Sequence, residues 1–242
     1  IREKFPASRV VSDIVTAVTE ELHTRGFTAE NTLFAASVCP DEINHAFNNL
    51  SQMFTRTWGE CFQMGGLAGI PFSGQTGFGA FSAHIPDDGH LFILFAPHIG
   101  ISPSGDFGLY AREGQSKDCG AACGAAIAAH SHIINGGEVP DFTQLGKFPF
   151  DYQQQWIISK IAEKMDIINA AEDKMVELSK QMYAIIENYM LNIVSTENVP
   201  GGIVLLGGVH INTPTEMEDF FWPIKFKIRR HGQEPEDLLY EL

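Results

Sequence analysis

LFAASVCPDEINHAFNNLSQMF, residues 33–54, changes its periodicity partway along. Its opening, LFAASV at 33–38, is a short run of apolar and small residues and reads as a strand. From Pro40 onward the apolar positions fall at Ile43, Phe47, Leu50 and Phe54, which share one face of a helix, and proline suits the first helical position. Residues 33–54 therefore predict a strand running directly into a helix, with Cys39 at the hinge.

The same alternation recurs along the chain. Val10, Ile14, Val18 and Leu22 form a four-residue stripe that predicts a helix over 9–25, ending at Gly26. HLFILFA at 90–96 has the unbroken apolarity of a strand covered on both faces. FGLYAR at 107–112 reads as a further strand, and GGIVLLGGVHINT at 201–213 as a late buried one. CGAACGAAIAAHSHII at 119–134 predicts a helix of small residues whose axis can approach a sheet closely, which offsets the cost of its glycines. Three-and-four spacing runs from Ile158 to Tyr189. Forty residues of helix would reach ~60 Å, so the segment either breaks near NAAEDK at 169–174 or lays part of its stripe on a second subunit. Strands alternating with helices predict one α/β domain over 1–242, a mostly parallel central sheet flanked by helices, with a long C-terminal helical segment. In such folds the working site lies beyond the carboxyl ends of the strands. That rule nominates Cys39 and His98.

Composition narrows the function classes. Thirty acidic against sixteen basic residues give a formal charge of −14, which repels a polyanion and argues against nucleic acid. The longest apolar run, LFILFA, is far short of the ~20 residues a membrane-spanning helix needs, so no membrane partner is expected. IREKF at the start shows no charged-then-apolar leader, and the compartment is not read from that end. Four cysteines in dissimilar settings suit a reducing compartment, where thiols serve as core atoms, ligands or nucleophiles.

GIPFSGQTG at 69–77 fits the phosphate-binding pattern G-x-x-x-x-G-x-T, except that Gln75 stands where lysine is needed. The continuation GFGAFSAHIP alternates like a strand rather than opening a helix. Nucleotide binding is therefore disfavoured, and the glycines read as a wall that brings backbone close to a small pocket.

Catalytic zinc takes three protein ligands and keeps a fourth position open. Cys39, His98 and Cys119 each stand at an element boundary, and both cysteines precede predicted helices whose free N–H groups favour the thiolate. The same three also suit a tight core of small buried residues. Cys123, one helical turn from Cys119, is the substitute ligand. Asp41, two residues past Cys39, could accept a hydrogen bond from metal-bound water or take the open position itself; it would equally complement a helix N-terminus. Arg112 is the arginine expected to pair with it, Arg56 being expected in solvent. His84 is a candidate donor near the metal or a surface residue, and Cys61 reads as core.

CPDEIN at 39–44, GGLAGIPFSGQTGFGAFSAHIPDDG at 65–89, FAPHIGIS at 95–102 and CGAACGA at 119–125 together resemble the limiting-CO2-inducible protein B family of algae and some bacteria. These are theta-class carbonic anhydrases with a fold similar to the beta class. The resemblance runs from about Arg9 to Thr213. It implies a homodimer with Zn2+ held by Cys39, His98 and Cys119, an Asp–Arg pair that includes Asp41 beside the metal, and CO2 and bicarbonate as substrates. Phe72 or Phe78 would give CO2 an apolar surface, and His84 could carry the proton away. The beta class places its arginine two residues after the aspartate, whereas Ile43 stands there in this chain. Zinc chemistry then implies reversible hydration of CO2 by metal-activated water. A catalytically silent scaffold of the same fold is the alternative, and a thiol hydrolase using Cys39 and His98 a third reading. The family also implies the chloroplast stroma.

Overall fold

Alternation along the central strands divides the interior into two cores, one on each face of a single sheet. The computed structural model describes residues 1–115, 119–141 and 150–242. Strands β2 (Thr32–Ser37), β4 (His90–Phe95) and β8 (Gly202–Asn212) send Ala35, Leu91, Ile93, Phe95, Ile203 and Leu205 to one core. Their neighbours Phe34, Ala36, Phe92, Leu94, Val204 and Leu206 face the other. The second core is closed by α1 (Val11–Thr24) and α2 (Leu50–Trp58), where Phe92 meets Phe34, Phe54 and Trp58. The first is closed by α4 (Gly124–Ile134), α5 (Tyr152–Ala162), α6 (Met165–Ala170) and α7 (Lys174–Ile193). Strands buried on both faces need no polar alternation, and this is why 90–95 and 202–212 read as continuous apolar runs.

The sheet is parallel through its centre and antiparallel at one edge. β3 (Cys61–Gln63), β2, β4 and β8 pair in parallel in that order, and β5 (His98–Gly100) continues the parallel pairing along β8 beyond the end of β4. On the far side β9 (Phe220–Arg229) runs antiparallel to β8 and carries β1 (Arg9–Val10) and β10 (Glu236–Asp237). The sequence reading assigned no strand over 220–229 and so missed β9. Phe226 and Ile228 are buried while Lys225, Lys227 and Arg229 are partly exposed, which is strand alternation. A register shift opposite Gly207 and Gly208 accommodates Pro223, which has no N–H to give the ladder.

Three other expectations change, and one of the two alternatives for the long C-terminal segment, a break near NAAEDK, is found. The helix expected from Pro40 is a single 3-10 turn, Glu42–His45, capped by Asp41, and α2 starts only after Asn49, whose side chain accepts from the Ser51 N–H. GFGAFSAHIP does not form a strand: Gly74–Ser82 is helix α3. The strand expected over 107–112 shrinks to β6 (Leu109–Tyr110), paired with β7 (Gly120–Ala121). The long C-terminal segment breaks twice, at Glu163–Lys164 and at Ala171–Asp173, where Ala171 is extended and Asp173 caps α7 through the N–H groups of Met175 and Val176 at 3.1 Å.

Candidate metal centre

The carboxyl ends of β2 and β4 deliver Cys39 and the segment leading to His98 to one place. Gly65 and Gly69 hold the glycine-rich segment against these ends. A Cβ on Gly65 would collide with the Val38 carbonyl and one on Gly69 with the Ala96 carbonyl, and Gly69 has φ +83°. The Ser37 hydroxyl donates to the Gly69 carbonyl at 2.9 Å. Close backbone approach was the reading of these glycines, and here it packs the loop onto the two strand ends that carry the site.

Cys39, His98 and Cys123 meet, with one ligand atom of each lying within 4.8 Å of the others, the only such group among the described residues. All three are buried. The third member is Cys123, not Cys119, which corrects the expected ligand set. Residues 120–122 cannot join the helix, because Gly120 and Ala121 pair with Leu109 and Tyr110, the Ala122 N–H donates to the Gly108 carbonyl at 3.0 Å, and the Ala122 carbonyl accepts from Gly100 at 2.9 Å. The helix therefore opens five residues late, at Gly124, and its N-cap position falls on Cys123. Cys119 stays half-exposed on the strand side of that boundary.

The donor set suits a soft or borderline divalent metal. Tetrahedral zinc with Zn–S of ~2.3 Å requires its two sulfurs ~3.8 Å apart, and Cys39 Sγ and Cys123 Sγ lie 3.8 Å apart. His98 Nδ1 bonds Asn212 Oδ1 at 2.8 Å, leaving Nε2 buried among the sulfurs and Asp41 with no partner at hydrogen-bonding geometry among the described residues. A buried nitrogen without a partner costs roughly 1–3 kcal/mol, and a metal would offset that cost. In the metal-free chain the hydrogen bond from Cys123 lowers the Cys39 thiol to about 4 against the opposing effect of burial, with His98 adding to the shift. Burial opposes charge on His98, but the adjacent Cys39 and Asp41 raise its pKa on balance. Cys123 is pushed up by its bond to Cys39 and by burial. One thiol of the pair is thus favoured as thiolate, the form in which cysteine ligates a metal.

Asp41 lies beside this group, its Oδ2 3.9 Å from His98 Nε2 and 2.7 Å from Arg112 Nη2. Arg112 also reaches Glu42 Oε1 at 2.8 Å and the Ala121 carbonyl at 3.3 Å, so one guanidinium ties the Cys39 loop to the strand leading to Cys123. Arg56 is exposed, with its guanidinium 4.0 Å from the Phe47 ring centroid. His84 is exposed on the turn after α3 and outside the cluster. A cavity of about 10 Å3 lies against His98 and Cys123, lined by Ala68, Ile99, Ala126 and Met175 among others. Neither Phe72 nor Phe78 lines it: Phe72 packs edge-on against Trp156, and Phe78 is buried in the core. The apolar wall beside the cluster is aliphatic and thioether rather than aromatic.

The sequence reading missed Asn212 and Asp219. Both belong to a buried polar group at the end of β8, where Asp219 accepts from His210 Nε2 at 3.0 Å, Asn212 Nδ2 at 3.1 Å and the Thr213 N–H at 2.8 Å. The signal was HIN at 210–212, polar residues two apart at the end of an apolar strand and therefore on one face.

A family model described as limiting CO2-inducible proteins B/C beta carbonic anhydrases matches residues 8–230. Among solved structures, PtLCIB4, a homolog of the limiting CO2-inducible protein LCIB, is 34% identical with a TM-score of 0.87, covering 98% of this chain and 97% of that one. A point mutant of PtLCIB4 is 35% identical with a TM-score of 0.85, over 95% and 92% of the two chains. LCIB itself, at 21% identity and a TM-score of 0.73 over 98% and 96%, shares the fold. No curated protein matches.

Proposed function

The chain belongs to the limiting CO2-inducible protein B/C family of beta carbonic anhydrases, and from that premise we propose that it hydrates CO2 reversibly at a zinc held by Cys39, His98 and Cys123. The observation that carries the reading is the buried cluster, with sulfurs 3.8 Å apart facing an unpartnered imidazole nitrogen beside an Asp–Arg pair. Zinc in this place would supply the Lewis acidity that makes hydroxide available near neutral pH. Asp41 directs a carboxylate oxygen toward the site and orients the attacking water. Arg112 holds that carboxylate back, which keeps a coordination position free. The small aliphatic cavity beside His98 and Cys123 offers CO2 an apolar wall and, at about 10 Å3, room for roughly one water-sized molecule. With His84 remote and exposed, proton release falls to buffer. The working unit is proposed as a homodimer in the chloroplast stroma, and a solution mass of twice the chain's own would support the first half of that statement.

Two measurements test the reading. CO2 hydration followed by stopped flow should be present in the zinc-loaded protein and disappear when a chelator strips the metal. Metal analysis should find zinc lost from Cys39→Ser and Cys123→Ser and kept in Cys119→Ser. A protein that purifies and reconstitutes without metal, or zinc lost from Cys119→Ser but kept in Cys123→Ser, would overturn the assignment. Metal retained without hydration activity would instead favour the silent scaffold.

A further inference from the structure

The polar group at the end of β8 has a directional logic that reaches the cluster. Asn212 and His210 point to one side of the strand, two residues apart, and Asp219 stands at the entrance to β9 facing both. Asp219 is an ionised acceptor. Burial works against its charge, but the hydrogen bond and charge of His210, the Thr213 N–H and the Asn212 amide hold its carboxyl below the ordinary carboxylate range.

An ionised carboxylate has no proton to give, so the atom of Asn212 that meets Asp219 at 3.1 Å must be the NH2 group. That fixes the amide, and the carbonyl Oδ1 is then the atom 2.8 Å from His98 Nδ1. A carbonyl oxygen only accepts, so Nδ1 must carry the hydrogen. The lone pair of neutral His98 is consequently on Nε2, the nitrogen that faces the two sulfurs. Without Asp219 the amide could turn over, offer its NH2 to Nδ1 and stabilise the tautomer that puts hydrogen on Nε2, which binds no metal. The geometry points to Asp219 as a positioning residue that selects the metal-binding tautomer of His98 through Asn212. It touches neither His98 nor the reacting atoms, and lies two hydrogen bonds from the imidazole. The relevance to metal binding rests on the ligand set proposed above; the tautomer assignment stands without it.

Asp219→Asn is the near-isosteric test, because an asparagine still offers an oxygen to the Thr213 N–H while losing the obligatory acceptor. Outer partners of metal-bound histidines contribute roughly 10–100-fold to metal affinity. Chelator competition with zinc should therefore show D219N about tenfold or more weaker than the natural chain. Nitrogen-15 shifts of His98 at a pH where it is neutral should show one tautomer in the metal-free natural protein and a mixture in D219N. The decisive arm is the double variant Asp219→Asn with Asn212→Asp. Asp at 212 accepts from Nδ1–H whichever way residue 219 turns, so affinity and a single tautomer should return. A residue that merely braces the 213–219 turn would not be rescued in this way. Unchanged His98 shifts and zinc affinity in D219N, or failure of the double variant to restore them, overturns the inference. Absence of zinc binding in the natural chain would instead sink the metal assignment, and the metal-free shifts would still decide the tautomer.

Discussion

Replacing Arg112 with methionine removes the restraint on Asp41 while keeping a long apolar stem in the same space. Asp41 Oδ2 is 2.7 Å from Arg112 Nη2 and 3.9 Å from His98 Nε2, so the carboxylate stands between the guanidinium and the cluster. Both side chains are mostly buried, at 12% and 15% exposure, and the pair is not screened as a surface ion pair would be. A hydrogen bond to a charged group is worth about 1.5–3 kcal/mol net. Losing that much restraint favours the carboxylate on the metal over the carboxylate on Arg112 by roughly 10–150-fold, at 1.4 kcal/mol per tenfold. Stopped-flow CO2 hydration at neutral pH should fall by at least about tenfold in Arg112→Met, with zinc content retained. Arg112→Lys should recover only part of the loss, since one ammonium cannot serve Asp41, Glu42 and the Ala121 carbonyl in the planar arrangement that Arg112 uses. Full activity in Arg112→Met would refute the gating role. Loss of zinc together with activity would show that Arg112 acts by bracing the two cysteine segments instead.

Two further outcomes follow from local geometry. Gly69→Ala should lower stability in urea by about 2 kcal/mol or more, because φ +83° costs a Cβ-bearing residue roughly 1–2 kcal/mol and the Cβ also meets the Ala96 carbonyl; Gly74→Ala, with φ +61° and open space, should pay only the first cost, so equal losses would discredit the clash. Asp219 has a lowered folded pKa, so its stabilisation is complete above the unfolded value of ~3.9 and is lost as pH falls through the folded one. The gap in urea midpoint between the natural chain and Asp219→Asn should accordingly narrow as the pH falls below about 4, and a gap that widens on acidification below that point would contradict the assignment.

What the sequence disclosed and what it withheld divide along a physical line. The parallel centre of the sheet was legible because strands buried on both faces write their position as unbroken apolar runs, as at 90–95 and 202–212. β9 was not recognised because its buried residues are interleaved with Lys225, Lys227 and Arg229, and a charge cluster is read more easily than a period of two. For the site, Cys39 and His98 came from the rule that function gathers at strand carboxyl ends. The third cysteine depended on where a helix begins, and element boundaries are set by the partners of the backbone. In CGAAC both cysteines precede plausible helical turns. A hydrogen bond to the Gly108 carbonyl and one from the Gly100 N–H, both distant in sequence, hold Ala122 out of the helix and so choose between them. The same contacts explain why the substitute ligand differs by one turn of an ideal helix: the sequence spacing was right for a helix starting at 119, and the sheet pairing of 120–121 moved that start by five residues, to Gly124. A variant that weakens the pairing without touching either sulfur is therefore informative. Tyr110→Pro removes the residue 110 N–H from the ladder opposite Gly120, and it should loosen the segment that presents Cys123 and raise the rate of zinc loss to chelator, whereas a Tyr110→Phe control should leave that rate unchanged. Equal rates in the two variants would mean that the helix start, and with it the position of Cys123, is held by the Ala122 hydrogen bonds alone.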